Sequence, residues 1–480
     1  MKSALAANLE ELARGNPAKL LLRYSWPALV AMTLNALYCV VDRVFIGQGC
    51  GVDAMAGLQL AMPVMMFFGA CGVFIGAGHA TILSIKLGAG DRVACERLLG
   101  ELVAFKLAVF LGLSAFVYFN IDLILSWCGA DRVTPAAFAA ARGYLKIVLF
   151  SHLFSHLAFG LSAMQRAEGG AKSSMMSMVV GFGLNLALDP LLIFGCRFQL
   201  SGSRFSLPGL GVTGAAVATD IAMVASCLWA LQYYLRRKTV VRLRLRRIGF
   251  YRDLAGRAAA VGVAPFLQQL MSSVIMASLS FAFARWMPDA ASRTAEIASI
   301  GVFSGALVFV FMPILGAQQG LQPIIGYNWG ARRYDRVRET LVTGLKVTAA
   351  LTLVAFVVQV VPPFPRLLAR LFVSGEDPAL VALCAHDLAL SNSMIWCIFV
   401  NVVATTYYQS IGRPGVSILL SVLRQGVTLL PIIWFLPYVM ADKATAIWLS
   451  MPVSDVVCNA VSVLPLALQL RFLAKVRSRR

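Results

Sequence analysis

Long apolar stretches recur along almost the whole chain and limit what it can fold into. Of its 480 residues, 59% are hydrophobic and 13% are charged, with a mean hydropathy of +0.78. A helix needs about 20 mostly apolar residues to cross the hydrocarbon core of a bilayer. Because the apolar runs are continuous rather than alternating, they predict membrane helices and exclude a membrane β-barrel. We predict twelve spans, at residues 20–46, 55–82, 98–120, 138–163, 173–195, 211–235, 258–285, 297–325, 341–361, 388–411, 415–438 and 444–470.

The formal net charge of +20 is concentrated in the segments between the spans. Counted from a cytoplasmic N-terminus, the inner segments are rich in Lys and Arg, and the segment 236–257 alone holds nine of them. This asymmetry follows the positive-inside rule and predicts a multi-pass protein of the plasma (inner) membrane with both termini in the cytoplasm. It favours anionic membrane lipid over nucleic acid as the partner of the basic charge. Residues 1–19 are polar and amphipathic, which is not typical of a cleavable signal peptide.

The chain repeats short motifs at an interval of about half its length. The pair Gly88-Ala89 follows the second span and Gly330-Ala331 follows the eighth, 242 residues later. Gln165 and Gln409, which close the fourth and tenth spans, lie 244 residues apart. Six spans separate equivalent points, so the two halves have the same orientation across the membrane, related by an axis along its normal.

The repeat predicts an all-α integral membrane protein of twelve transmembrane helices, in two pseudo-symmetric six-helix bundles around a central cleft. Its expected parts are an N-terminal lobe at 1–235, a basic cytoplasmic inter-lobe loop at 236–257, and a C-terminal lobe with a basic tail at 258–480. Such a pair of lobes permits rigid-body rocking and therefore alternating access to a site between them.

Two carboxylates inside predicted spans of the first half are candidate functional groups. Asp42 lies near the outer end of the first span and Asp189 near that of the fifth. A carboxylate at bilayer depth costs roughly 2.5–3.5 kcal/mol on insertion scales, so such residues usually face the bundle interior and bind an ion, a proton or a substrate. At 1.5 Å per residue, Asp42, Asp189 and Thr219 all lie at about 8–12 Å from the outer ends of their spans.

Helical spacing places further oxygen ligands beside these residues. Tyr38 and Asp42, Asn185 and Asp189, and Ala215 and Thr219 are each i, i+4 pairs that share one helical face. Carboxylate, amide, hydroxyl and backbone carbonyl oxygens are hard ligands that suit Na⁺, and the carboxylates alone suit a proton. We therefore predict a cation-coupling site here, with H⁺ or Na⁺ as the coupling ion and no cofactor. The alternative is that Asp189 pairs structurally and that Pro190 only marks a kink.

Other polar residues inside the spans have less specific interpretations. Pro27 frees a backbone carbonyl in the first span and either bends that helix during transport or kinks it permanently. Asp220 points about 100° away from Thr219 and is either a further member of the site or a structural partner. Arg424 and Asp455 reach similar depth on antiparallel spans, and we predict a buried ion pair between them.

His152 and His156 form an i, i+4 pair in the fourth span. With no third ligand apparent we favour a polar stripe facing the bundle interior over a metal site. Candidate substrate-cleft residues are amide, methionine and aromatic side chains, for which helix packing or lipid contact is the competing interpretation. They are Met32, Asn35, Met164, Gln268, Gln269, Met271 and Phe283.

Four motifs give the chain a resemblance to a known family. Tyr38–Gly47 (YCVVDRVFIG) and Gly320–Ala331 (GLQPIIGYNWGA) are similar to the first-helix and eighth-helix motifs of multidrug and toxic compound extrusion (MATE) transporters. Asn185-x-x-x-Asp189-Pro190 and Gly214–Thr219 (GAAVAT) resemble the motifs of their fifth and sixth helices. The resemblance covers nearly the whole chain.

This resemblance implies a secondary antiporter that exports cationic or amphipathic organic compounds in exchange for H⁺ or Na⁺ by alternating access. It implies that Asp42, Asn185, Asp189 and Thr219 form the cation site and that Pro27 is the bend of the first helix. Some relatives place coupling acids in the seventh and tenth helices, but residues 258–284 and 388–412 contain none. That departure favours the site in the first half.

Two other functions remain as alternatives. A lipid-linked precursor flippase of similar fold would need a cationic central cavity for phosphate groups, and apart from Arg424 the spans of the second half offer little of that. An intramembrane enzyme would need a nucleophile with a base, or a metal set. Since neither is evident, we expect a non-enzymatic monomer that handles small organic molecules.

Overall fold

The structure is a computed structural model that describes residues 11–12, 15–128, 133–200, 203–235, 239–373 and 378–478. Its elements are almost all helical. Up to residue 235 they are α1 (Pro17–Gly88), α2 (Arg92–Phe119), α3 (Ile121–Trp127), α4 (Pro135–Ala167), α5 (Ala171–Ile193), β1 (Gly195–Leu200), β2 (Ser203–Pro208) and α6 (Val212–Leu235).

After a 3₁₀ turn at Leu245–Arg247, the second half of the chain has a similar composition. Its α-helices are α7 (Arg252–Trp286), α8 (Ala290–Gly330), α9 (Tyr334–Val360), α10 (Phe364–Phe372), α11 (Pro378–Ser391), α12 (Phe399–Ser410), α13 (Pro414–Val422), α14 (Leu430–Val439) and α15 (Lys443–Ser478). A 3₁₀ turn at Ile395–Cys397 joins α11 to α12, and a π-helical segment at Leu423–Leu429 joins α13 to α14.

Several helices begin at a residue that satisfies their first free backbone N–H groups. Asp91 accepts a hydrogen bond from the N–H of Ala94 at the start of α2. Thr134 accepts one from the N–H of Ala137 at the start of α4, where Pro135 occupies the first helical position. Such caps stabilise a helix end by about 1 kcal/mol and fix where it begins.

The predicted spans reappear as long helices. Within the described residues, ten helices are long and apolar enough to cross a membrane, or eleven if Ala290–Val308 and Phe311–Gly330 count as one bent span. The bend of about 40° in that span precedes Pro313, whose ring removes an intrahelical hydrogen bond one turn earlier. The first predicted span, 20–46, lies in α1, and several of its side chains, at 39–40 and 43–44, lie outside the described residues. These helices confirm the helical membrane fold.

A β-hairpin between α5 and α6 was not predicted. Strands β1 and β2 pair antiparallel, with Gly195 opposite Pro208 and Leu200 opposite Ser203. Two backbone hydrogen bonds continue this pairing into the helices, from Leu210 N–H to the carbonyl of Leu192 (2.9 Å) and from Gly211 N–H to that of Ile193 (3.2 Å). The hairpin therefore fixes the end of α5 beside the start of α6.

The chain forms two compact units. The first contains Val30–Leu87 and Asp91–Gly262. In it, α4, α5 and α6 pack against one another, and α2 packs on α4. The second contains Glu10–Leu29, Gly88–Gly90 and Val263–Arg480. Its largest buried side chain is Trp448, which packs between the rings of Phe283 and Phe303.

Candidate cation site

Residues of α5 and α6 meet in a buried polar cluster inside the first unit. The amide Nδ2 of Asn185 lies 3.2 Å from Oδ1 of Asp189 and 3.2 Å from Oγ1 of Thr219, and it donates to both. The Thr219 hydroxyl donates in turn to the backbone carbonyl of Ala215 at 3.0 Å. The structure thus brings together four of the residues that the sequence proposed for one site, and all four are buried.

Asp42 lies on α1 and is 7% exposed. It is close enough to Asp189 for the two carboxylates to interact electrostatically. The ring of Tyr38, one helical turn earlier, stacks on that of Phe182 with centroids 5.4 Å apart and an interplanar angle of 18°. Tyr38 therefore packs against α5, the helix that carries Asn185 and Asp189.

Two oxygen atoms of the cluster have no hydrogen-bond donor among the residues that the structure describes. They are Oδ2 of Asp189 and Oδ1 of Asn185, and both are fully buried. A buried acceptor without a donor is costly, and nearly all buried polar groups in native proteins are satisfied. A proton or a small hard cation at this position would satisfy them and would also reduce the repulsion between Asp42 and Asp189.

Pro27 lies in α1 and is buried, and the helix continues through it from Pro17 to Gly88. The candidate cleft residues differ in exposure. Gln268 and Gln269 are exposed, and Asn35, Met32 and Met271 are half-buried. Met164 and Phe283 are fully buried, the latter against Trp448. The structure therefore leaves the two glutamines as the most accessible polar candidates in the second unit.

The predicted pairing of Arg424 with Asp455 is confirmed. The guanidinium Nε lies 2.8 Å from Oδ1 of Asp455, and the guanidinium also lies over the ring of Phe311 at 5.9 Å. Asp220 of α6 lies beside Ser151 of α4.

A match of the sequence to a family model decides the family. The MatE family model matches residues 27–191 and again residues 266–435. The chain belongs to the MatE family. The two matches cover one stretch in each half of the chain, as expected from the internal repeat.

Relatives and solved structures agree with this membership. The multidrug export protein MepA of Staphylococcus aureus (strain MRSA252) is 25% identical over 451 residues, which cover 93% of this MatE chain and 92% of MepA. A crystal structure of a MATE protein in complex with MaL6 matches with a TM-score of 0.85 at 22% identity, over 97% of this chain and 99% of that one. The outward-facing conformation of a multidrug resistance MATE family transporter of the MOP superfamily matches with the same TM-score and identity, over 97% and 98% of the two chains. These likenesses establish the MATE transporter fold.

In this MatE protein the second unit also holds two buried acids that lie just outside the predicted spans. Glu296 and Asp387 are 5% and 2% exposed and lie close enough to interact electrostatically. Trp448 Nε1 donates to Glu296 at 2.9 Å, and Ser299 donates to Asp387 at 2.6 Å. Residues 258–284 and 388–412 contain no acid, but the helices begin earlier than hydropathy predicted. The tenth span starts at Pro378 and so includes Asp387, and α8 starts at Ala290 and so includes Glu296.

The sequence analysis also passed over His79, Glu101 and Lys106, which are all buried inside the first unit. The signal was available, because Glu101 and Lys106 are charged residues within the third predicted span. Within the described residues no group of three or more His, Cys, Asp or Glu side chains is arranged to hold a metal ion.

Proposed function

We propose that this MATE transporter is a secondary antiporter that exports cationic or amphipathic organic compounds in exchange for H⁺ or Na⁺. The observation that carries the proposal is the cluster of Asn185, Asp189 and Thr219 near Asp42, with two buried oxygen atoms that accept no hydrogen bond from the described residues. The name of the relative MepA, a multidrug export protein, supports the direction of transport and the substrate class.

The coupling needs only a difference in cation affinity between two conformations. A cation that enters the cluster from outside would favour the state that releases the organic substrate outward, because a ligand shifts an equilibrium by its differential affinity. The substrate and the cation need not touch, since each biases the same equilibrium. In this proposal α1 bends at Pro27, and the bend changes the surroundings of the Asp42 carboxylate between the two conformations.

The proposed topology places both termini and the basic segment 236–257 in the cytoplasm, in a plasma (inner) membrane. The support is the positive-inside asymmetry of the loops. The lobes 1–235 and 258–480 would act as the two bodies of alternating access. Gln268, Gln269, Met271, Asn35 and Met32 are the proposed substrate contacts, because they combine exposed amides with adaptable apolar side chains.

The flippase alternative is not favoured. It would use Arg424 as a free cationic group for phosphate, but the guanidinium is already paired with Asp455 at 2.8 Å. A neutral ion pair offers less attraction to a phosphate group than a free guanidinium does.

The proposal is tested by transport in proteoliposomes of defined orientation. A fluorescent lipophilic cation is the substrate, and pH and Na⁺ gradients are imposed separately on the wild type and on Asp42→Asn. We expect one gradient to drive the wild type and Asp42→Asn to lose that drive. Asp53→Asn is a matched control, because Asp53 is an exposed acid of the same helix. Equal gradient-driven transport by wild type and Asp42→Asn would remove Asp42 from the mechanism.

A further inference from the structure

A second group of buried titratable side chains lies in the first unit and is not used by the cation site. Its members come from α1, α2 and α4, and each is more than nine-tenths buried: His79, Glu101, Lys106, His152 and His156. Ionisable side chains inside a membrane bundle are costly, so their presence calls for a function.

His79 and Glu101 face each other as two acceptors. Nδ1 of His79 lies 2.8 Å from the carbonyl of Ile75, and because a carbonyl only accepts, Nδ1 carries the hydrogen. Nε2 of the neutral ring is then an acceptor, and it lies 3.7 Å from Oε2 of Glu101. Neither atom has a hydrogen-bond partner among the described residues. A proton on either atom would relieve this juxtaposition of two buried acceptors, so the pair has the chemistry to hold a proton.

This pair lies directly beneath the basic segment that follows α6. Oε1 of Glu101 accepts a hydrogen bond of 2.7 Å from the backbone N–H of Tyr251. The Tyr251 ring lies under the guanidinium of Arg97, 5.2 Å away. Since that segment is cytoplasmic in the proposed topology, the pair lies at the inner end of the first unit.

Lys106 continues the series towards α4. Its Nζ donates to the carbonyls of Gly72 (3.1 Å) and His156 (2.6 Å). No carboxylate of the described residues lies within ion-pair distance of it. A Cβ atom on Gly72 would lie 2.2 Å from Nδ1 of His156, so only glycine lets that ring lie against α1. The amine and the imidazole therefore converge on one residue.

The two histidines of α4 complete the connection. The rings of His152 and His156 are stacked with centroids 5.4 Å apart, and Nε2 of each is buried without a partner among the described residues. Such atoms are usually satisfied by internal water. Ser151, the neighbour of His152, lies beside Asp220, which directly follows Thr219 of the cation site.

We propose that these residues form the inner half of a proton path through the first unit. The His79–Glu101 pair exchanges protons with the inner face, and Lys106, His156 and His152 relay them to Asp220 and the cation site. Each step breaks one N–H or O–H bond and forms another, so no further reactant is needed. The inference rests on the proposed antiport function and deepens it, because it names H⁺ as the coupling ion.

Among the residues that the structure describes, the charged and titratable groups that act on His79 are Glu101 and Lys106, both from α2. Helix α7 approaches this part of α1 through backbone, since a Cβ on Gly78 would lie 2.0 Å from the carbonyl of Ala258. The basic segment contributes Tyr251 through its contact with Glu101. Helix α2, helix α7 and the basic segment therefore pack around the His79–Glu101 pair.

The test compares two transport modes of full-length variants in proteoliposomes. One mode is uptake of a fluorescent lipophilic cation driven by a pH gradient, and the other is exchange of the same cation at equal pH on both sides. We expect Glu101→Gln and His156→Gln to slow the gradient-driven mode by about tenfold or more, and to change exchange by less than about twofold. Glu96→Gln is the matched control, because Glu96 lies on the same helix and binds Arg244 and Arg247 outside the series.

Each other outcome overturns the proton path. If a variant keeps both modes, its side chain does not relay protons, and if it loses both modes, its role is in packing. A wild type driven by a Na⁺ gradient and not by a pH gradient would reject the path and leave the antiporter standing. A wild type driven by neither gradient, with intact exchange, would reject the antiport proposal itself.

Discussion

Arg424 and Asp455 form an ion pair that joins the π-helical segment Leu423–Leu429 to α15. The Nε to Oδ1 distance is 2.8 Å, and the Asp455 backbone carbonyl accepts a further hydrogen bond of 2.6 Å from Asn459. A π-helical turn interrupts the regular α-helical ladder and often occurs at a functional position. Here it coincides with Arg424, so the pair and the irregular turn fix each other in place.

Removing one partner of this pair should be worse than removing both. Arg424→Ala leaves the Asp455 carboxylate buried and unpaired, which costs about 3–5 kcal/mol in comparable sites. We expect Arg424→Ala to lower the protein level and the apparent melting temperature, and the double variant with Asp455→Ala to recover part of both. Fluorescence-detected size exclusion with a heating step measures this, with Asp42→Asn as comparison. Equal levels in all variants would show that the pair does not contribute to stability.

Thr219→Val should weaken cation binding and Thr219→Ser should not. The hydroxyl accepts a hydrogen bond from Asn185, and loss of one such bond costs roughly 0.5–1.5 kcal/mol. The Asn185 amide would then be held by Asp189 alone, and the cluster would be less well ordered. We expect the apparent affinity for the coupling cation to fall about 2- to 10-fold in Thr219→Val. Initial transport rates at varied pH or Na⁺ give this affinity, and an unchanged value in Thr219→Val would remove Thr219 from the site.

Glu168 should make the stability of the protein depend on pH. It lies between α4 and α5, where burial raises its pKa from 4.5 to about 8, although the hydrogen bond that it accepts from the Val241 N–H acts to lower that pKa. Between those two pKa values the folded protein keeps a proton that the unfolded chain has lost. The free energy of unfolding therefore falls as the pH rises from about 4.5 to 8.

The variant Glu168→Gln cannot lose a proton and should lack this contribution. We expect its melting temperature, relative to the wild type, to rise between pH 5 and pH 9. Glu339→Gln is the control, since Glu339 is an exposed acid whose side chain is 47% accessible. Parallel melting curves for wild type and Glu168→Gln across this range would contradict the prediction.

Gly88→Ala should destabilise the second unit. Its Cβ atom would lie 1.9 Å from the carbonyl of Tyr327 and 3.0 Å from the backbone nitrogen of Ala331. The backbone would have to move, at a cost of roughly 1–3 kcal/mol. We expect a lower melting temperature in detergent, whereas Gly112→Ala, which meets no atom within 4 Å, should not lower it. A Gly88→Ala protein as stable as the wild type would show that the two backbones can separate freely.

The sequence predicted the spans and the i, i+4 pairs because both depend on local periodicity. Asn185 and Asp189 share a face by helical geometry alone, and their helix could be placed from hydropathy. The contact of Asn185 with Thr219 needed the packing of α5 on α6, and the sequence offered only their similar depth as support.

Contacts between helices that are distant in sequence could not be predicted from the sequence. Glu296 and Asp387 fell just outside the predicted spans, which begin at 297 and 388, yet both are buried where α8 and α11 meet. Lys106 did not stand out, because the mean hydropathy of the third predicted span is high in spite of it. Its ammonium nevertheless contacts the backbones of two other helices. The hairpin β1–β2 was too short and too irregular in pattern to be distinguished from a loop.

The hairpin has a consequence for how movement could begin. Its hydrogen bonds continue from the strands to Leu192, Ile193 and Gly211, so α5 and α6 are joined at the same end as the cation site. In a rocking movement Asn185, Asp189 and Thr219 would therefore move together. Asp42 belongs to a different helix that no strand ties to them. In the proposed antiport mechanism, occupancy of the site would act on one variable, the separation of α1 from the α5–α6 pair.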